Sequence, residues 1–319
     1  LDKLIGRILK SRSDAKKNKN LILSRQLYSY AKYGEVNPAS NVLTSEELME
    51  VSVAELTDRI KALTKKQHRI LFYGNQDEKT LTNLVKTYHK IPESLKEVSD
   101  AQTYSEKNYD KEYVFWTHFD MVQTEIILLS KQELLDNAKT AAIRLFNQYF
   151  GGGMNSIVFQ EIREAQGLAY SVYSAYRQGN KPDRSDYLLS YIGIQSDKQK
   201  EALSSMFSLI NNLPESPQAF EIGKQAILNK IESERITKAG VLYNYLSAEK
   251  RGIDYDIREK VYNEVKAMDL EKLNEFHKTY IKDKPHTILL IGNRDNIDLK
   301  NLEQYGTVKE LSLETLFGF

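Results

Sequence analysis

Apolar residues recur along this chain with two periods, and the switches between them outline its elements. Leu1, Leu4, Ile5, Ile8 and Leu9 lie at helical spacing, and Leu23, Leu27 and Tyr30 continue as a second helical stripe. Ser52 caps a third helical pattern over residues 53–64, carried by Val53, Leu56 and Ile60, and the apolar run 69–73 predicts a strand. Between Asn75 and Asn108 the pattern thins; Pro92 and many charges predict an exposed linker with one helix around Thr80–Tyr88. Strands follow at Glu112–Trp116 and Thr124–Ser130. A long helix is then expected to bury Leu134, Leu135, Ala138, Ala141, Ala142, Leu145, Phe146 and Tyr149 until Gly151-Gly-Gly153 stops it. A short helix, Ser156–Ala165, leads into strands at Ala169–Tyr176 and Tyr187–Gln195. Three helices occupy most of Asp197–Ile236 and Val241–Arg251. A helix capped by Asp269 and a strand at Ile288–Ile291 close the pattern. Strands, then helices, then a last strand predict an α+β fold, a mixed β-sheet covered by a helical layer.

The chain also resembles itself. His68-Arg-Ile-Leu-Phe-Tyr-Gly-Asn-Gln-Asp77 reappears as His286-Thr-Ile-Leu-Leu-Ile-Gly-Asn-Arg-Asp295. The caps Ser52 and Asp269, and the helix-ending Gly34 and Gly252, recur in the same order at nearly the same offset. These landmarks predict a tandem repeat whose second copy is whole and whose first is truncated. Residues 1–75 are then the closing part of one domain, 76–108 a linker, and 109–319 a complete domain. The front of the first copy is expected to precede Leu1, so that the chain is the C-terminal part of a larger protein.

Composition narrows the chemistry. The chain has 319 residues, enough for about two domains, and no cysteine, which excludes disulfides, zinc–thiolate sites, iron–sulfur clusters and thiol nucleophiles. Lys plus Arg is 45 and Asp plus Glu 44, a balance that argues against a dedicated nucleic-acid binder. Residues 1–34 carry nine Lys or Arg against two Asp, but these interleave with apolar stripes and read as a solvated helix face. The longest apolar runs, Ile126–Leu129 and Ile288–Ile291, are strand-sized, so no membrane span is expected. His68, His89, His118, His277 and His286 include no pair four apart, and neither H-E-x-x-H nor H-x-x-E-H occurs, so no metal site is expected. Gly151-Gly-Gly-Met-Asn-Ser156 lacks the lysine of a phosphate loop and follows a helix; it reads as a corner capped by Asn155 or Ser156.

One segment remains, Phe159-Gln-Glu-Ile-Arg-Glu-Ala-Gln-Gly-Leu-Ala-Tyr-Ser-Val-Tyr173. Arg163 lies near a helix end, Gly167 breaks the helix, and Tyr170 opens the next strand. A guanidinium and a phenol converging there would suit a peptide carbonyl gaining negative charge. The same spacing also fits a plain structural role.

The block from Gly151 to Val172 resembles the pitrilysin-like zinc metallopeptidases, the group of insulin-degrading enzyme and mitochondrial processing peptidase. The glycine corner, Phe159, Arg163-Glu164, Gly167-Leu-Ala and Tyr170-Ser-Val fall in register with that family's non-catalytic half, and Gln123 matches the opening of an earlier strand. The resemblance implies a substrate-binding, zinc-free C-terminal half that closes over a peptide or unfolded protein. Arg163 and Tyr170 would hold the substrate and support the transition state. No catalytic residue and no cofactor is expected in this chain; zinc would sit on a missing N-terminal half or partner subunit carrying H-x-x-E-H and a later Glu. The alternative is a non-catalytic scaffold or assembly subunit of the same fold.

Overall fold

A computed structural model describes residues 1–319. The chain opens with α1 (Asp2–Ala15) and α2 (Lys19–Leu21), which runs on through a π-helical stretch, Ile22–Leu27, into α3 (Tyr28–Tyr33). Three short helices follow: α4 (Ser45–Glu50), α5 (Val53–Leu63) and α6 (Glu78–Tyr88), each begun by a side-chain cap from Thr44, Ser52 or Asp77. The remainder contains β1 (Tyr113–His118), β2 (Gln123–Leu134), α7 (Thr140–Phe150), a second π-helical segment (Phe159–Ala165), β3 (Ala169–Arg177) and β4 (Ser185–Gln195). Helices α8 (Gln199–Asn211), α9 (Pro217–Ser233), α10 (Ala239–Arg251), α11 (Ile257–Ala267) and α12 (Leu270–Tyr280) come next. The chain ends with β5 (Thr287–Gly292), α13 (Leu299–Leu302), β6 (Thr307–Glu310) and α14 (Leu313–Phe317).

The six strands form one sheet in the order β3-β4-β2-β5-β1-β6. β3, β4, β2 and β5 pair antiparallel, and β1 pairs parallel with both β5 and β6. This is the mixed α+β sheet that the pattern predicts. Every residue of β5 is buried, as the unbroken apolar run Ile288–Ile291 requires of a strand covered on both faces.

The two faces have different covers. On one, Trp116, Ile126, Leu188 and Ile288 meet Phe146 and Tyr149 of α7, Met206 of α8, Phe220 of α9, Val265 of α11 and Phe276 of α12 in the larger core. On the other, Phe115, Ile127, Leu189, Leu289 and Ile291 meet Ile22, Leu23, Leu27 and Tyr30, with Leu316 and Phe317 from the C-terminus. Polar contacts fix that second cover: Lys19 pairs with the buried Glu125 at 2.6 Å, Lys309 donates to the Tyr30 hydroxyl, and the Tyr109 hydroxyl donates to the carbonyl of Ala31.

Four local expectations need correction. Residues 69–73 form no strand; Ile70, Phe72 and Tyr73 are exposed, and the nearest ladder contact is an isolated bridge between Lys66 and Lys96. The corresponding β5 lies between β2 and β1, whereas 69–73 has no neighbouring strands to take its backbone bonds. Leu134 ends β2 rather than starting the long helix, because Asp136 caps a 3-10 turn at Asn137–Lys139 that precedes α7. In α1, Ile5 is buried while Leu4 is exposed, so the stripe is covered only in part. Helix α11, missing from the sequence pattern, buries Val261 and Val265.

Two stability outcomes follow. Leu27, fully buried under the sheet, should cost about 2–5 kcal/mol when cut to Ala. Leu63, 67% exposed on α5, should change stability by less than about 0.5 kcal/mol. Urea unfolding checks both, and equal losses would remove the distinction between a docked α2–α3 and a loosely attached α5. His286 supplies the second. It is buried with Nε2 unpartnered, and loss of hydration lowers its imidazole from 6.5 to about 4. The unfolded chain therefore takes up a proton near pH 6.5 that the folded chain refuses until about pH 4. Stability present above pH 6.5 should fall by roughly 3 kcal/mol as pH drops through that window. His286→Leu should abolish this component; parallel stability–pH curves for the two proteins would show that His286 is not its source.

Candidate functional site

Arg163 and Tyr170 lie on either side of a tight chain reversal. The segment carrying Arg163 is π-helical, and its end is closed by Gln166 N–H donating to the Glu161 carbonyl at 3.1 Å. Gly167 then takes φ +61°, and Leu168 N–H donates back across it to the Ile162 carbonyl at 3.0 Å. Strand β3 begins two residues later with a bulge: Ala169 pairs with Ile194 and Ser171 with Gly193, leaving Tyr170 as the extra residue. A π-turn and a β-bulge are both devices that re-aim a side chain by inserting one residue. Here each carries one member of the predicted pair.

The side chains have separate partners, and no hydrogen bond joins them. The Arg163 guanidinium lies over the Phe159 ring at 4.8 Å and only 3.7 Å from Glu164, a long ion pair with both groups about half exposed. Tyr170 is 54% exposed, and its hydroxyl accepts a 2.6 Å hydrogen bond from the Gln195 side-chain amide. Because the phenol oxygen is the acceptor in that bond, its own proton is free for another group. Gln195 is a residue that sequence pattern could not supply. It stands 25 positions away, at the end of β4 opposite Gln123 at the start of β2. Tyr170, Gln195 and Gln123 thus share one end of the sheet.

The edge strand itself is half covered. Asn147 of α7 brackets Tyr176, accepting from its N–H at 2.6 Å and donating to its carbonyl at 2.9 Å, and Ser174 N–H reaches the Gly151 carbonyl at 3.4 Å. The glycine corner exists for this approach, since a Cβ on Gly151 would lie 2.3 Å from the Ser174 carbonyl oxygen. It makes a helix–strand packing corner, with the Ser156 hydroxyl donating to Gly153 and the Ser156 carbonyl receiving Gln160 N–H. Val172, in phase with Ser174 and Tyr176, is itself buried and stands opposite Ile192 of β4, while Tyr170 and Ser171 before it are exposed. Beside it Tyr173 stacks on Tyr191 at 5.2 Å and remains partly exposed.

The Nε2 atoms of His68 and His89 come within 2.7 Å of each other, and His118, His277 and His286 stand apart. No three His, Asp or Glu side chains are grouped to hold an ion. A catalytic zinc needs three protein ligands and an open position, so the residues of this chain do not fit one.

The family model described as the peptidase M16 inactive domain matches residues 51–226. A Helicobacter pylori protein named non-peptidase homolog YmxG is 19% identical over 304 residues, which cover 91% of this chain and 66% of that protein. This chain therefore spans just under two thirds of that relative's length. An uncharacterised zinc protease of Mycobacterium leprae is 59% identical over only 34 residues, 11% of this chain and 8% of that protein. The crystal structure of a peptidase M16 inactive domain from Pseudomonas fluorescens has the same fold: TM-score 0.68 at 16% identity, over 92% of this chain and 70% of that one.

The two glycines predict opposite kinds of damage. Gly167→Ala meets no atom within 4 Å, so it should cost only about 1–2 kcal/mol for the left-handed backbone and keep the fold. Gly151→Ala must push β3 away from α7 and should lower the melting temperature further. A Gly151→Ala protein melting no lower than Gly167→Ala would contradict the close-approach account.

Proposed function

Because the chain belongs to the peptidase M16 inactive-domain family, we propose that it is the substrate-holding, metal-free half of a zinc metalloendopeptidase. A catalytic half, on the same polypeptide or on a partner subunit, supplies the bond-breaking groups. This half holds an extended peptide or unfolded protein against it. Residues 1–75 are proposed as the end of a preceding domain, 76–108 as the linker and 109–319 as the domain that carries the site. The exposed apolar residues of α4 and α5, among them Met49, Val53 and Ile60, fit a unit whose own sheet lies elsewhere.

The observation that carries the reading is the free Tyr170 proton at the open end of an edge strand. A peptide could lie along the exposed start of the strand at Tyr170 and Ser171. A substrate carbonyl near the reversal would then lie where the Tyr170 hydroxyl and the Arg163 guanidinium can both donate. Gln195 holds the phenol without consuming its proton. Arg163, with only a 3.7 Å ion pair, keeps N–H groups in reserve.

A second reading is a non-catalytic scaffold of the same fold. One finding favours it: the relative aligned along 91% of the chain is named a non-peptidase homolog.

The test uses the full assembly with its catalytic half. Tyr170→Phe keeps the ring and removes the hydroxyl, and should change stability by no more than about 1 kcal/mol. Turnover should drop by about 10²–10³-fold, as for loss of one preorganised donor to a developing oxyanion. Arg163→Ala should also weaken peptide binding, raising KM as well as lowering kcat. Melting temperature and steady-state kinetics on both variants separate the readings. Full kcat/KM in both variants would refute the assigned roles, and an assembly without peptidase activity would favour the scaffold.

A further inference from the structure

At the far end of β3 from Tyr170 lies a cavity of about 360 Å³, walled by α3, the β3–β4 turn, the chain at Tyr104 and the last turn of α10. Its lining is strongly basic. Five cations, Lys32, Arg177, Lys181, Arg184 and Lys250, face it without one Asp or Glu, in a chain whose charges nearly cancel.

These cations are incompletely satisfied by the protein. Lys32 pairs with Glu106 at 3.1 Å, Lys181 with Asp183 at 3.1 Å, and Arg184 spends one N–H on the Tyr104 carbonyl at 2.8 Å. Arg177 and Lys250 make no side-chain hydrogen bond or ion pair. Tyr187 in the same wall is 97% buried, and its hydroxyl has no partner. That hydroxyl is closed off from solvent, so the wall presents its cations rather than the phenol. The Lys32 ammonium lies 4.3 Å from the centre of the Tyr187 ring, so the cationic and aromatic parts of the wall form one surface.

We propose that this cavity binds carboxylates of an acidic peptide segment. The inference rests on the peptide-holding reading above and adds a charge preference to it. Arg177 and Arg184 offer planar N–H groups that match a carboxylate, and Lys250 adds an unpaired ammonium. Tyr170 and Arg177 are seven residues apart on one strand, roughly 23 Å at strand rise. Because α7 and the Gly151 corner cover the edge at Ser174–Tyr176, a substrate held at Tyr170 would leave the strand there and reach the cavity with residues more than seven positions away.

The test is fluorescence anisotropy on the full chain with three labelled twelve-residue peptides, identical except for a terminal block of Glu, Gln or Lys. The Glu peptide should bind roughly tenfold more tightly than the Gln peptide, the combined effect of two or three half-exposed ion pairs, and the advantage should shrink as salt rises. Arg177→Ala combined with Arg184→Ala should reduce its affinity to that of the Gln peptide, with the melting temperature unchanged. Tyr170→Phe should weaken all three peptides alike and leave the charge preference intact. Equal binding of the three peptides, still weakened by Tyr170→Phe, would overturn the acidic site and leave the peptide-holding reading standing. A Glu preference that survives the double Arg variant would place the preference elsewhere and overturn the site too. If no peptide binds but inorganic phosphate shifts the melting temperature through the two arginines, the cavity is a small-anion site, and both the acidic-peptide assignment and the peptide-holding reading fall.

Discussion

A sheet that is apolar on both faces cannot fold under one layer, and the architecture of this chain follows from that requirement. Strands β5 and β1 are buried on both sides, so Leu289 and Ile291 need cover as much as Ile288 and Leu290 do. Helix α7 and the helices after β4 supply one cover. The other comes from Ile22, Leu23, Leu27 and Tyr30, far earlier in the chain, and from Leu316 and Phe317 at its end. Fully burying one such side chain is worth about 1.5–3 kcal/mol, so detaching α2 and α3 would strip the sheet of a large share of its stabilisation. The buried Glu125 makes the attachment specific. It meets Lys19 from that cover at 2.6 Å, and losing the lysine would leave a carboxylate in the core without its counter-ion.

The same constraint positions the candidate site. With both faces occupied, β3 is the antiparallel edge of the sheet, exposed at Tyr170 and Ser171, and α7 closes its Ser174–Tyr176 half. The open half begins at the reversal that carries Arg163 and Tyr170. Irregular geometry is concentrated there, in a π-helical turn, a left-handed glycine and a bulge within about a dozen residues. Such features cost free energy and persist where the surrounding packing fixes them. Here Ile162 is fully buried between the sheet and its helices, anchoring the reversal from beneath.

How much of this was readable in the sequence depends on how local each signal is. The strand at Ile288–Ile291 and the helices capped by Ser52 and Asp269 were legible because their determinants lie within a few residues. The run 69–73 carries nearly the same letters as β5 and forms no strand, because pairing depends on neighbours that a local pattern cannot reveal. β6 failed in the other direction: Thr307–Glu310 is polar and largely exposed, and it is a strand only because β1 offers it an edge. Arg163 and Tyr170 were visible as a motif, while Gln195 emerged only from strand register. The cations of the distant cavity come from three separated stretches of chain, and no spacing rule connects them.

The π-helical turn that presents Arg163 makes its direction a matter of counting. An α-helix advances about 100° per residue, so one added or removed position rotates everything after it by more than a quarter of a circle. Deleting a single residue between Phe159 and Ile162 could let the segment relax into an ordinary α-turn with its backbone bonds intact. The reversal at Gly167 would survive, yet the guanidinium would point along another meridian of the helix. Among sequences of this fold, a one-residue gap in that short stretch would thus mark a protein that had kept its architecture and given up its aim, even with the arginine itself still present.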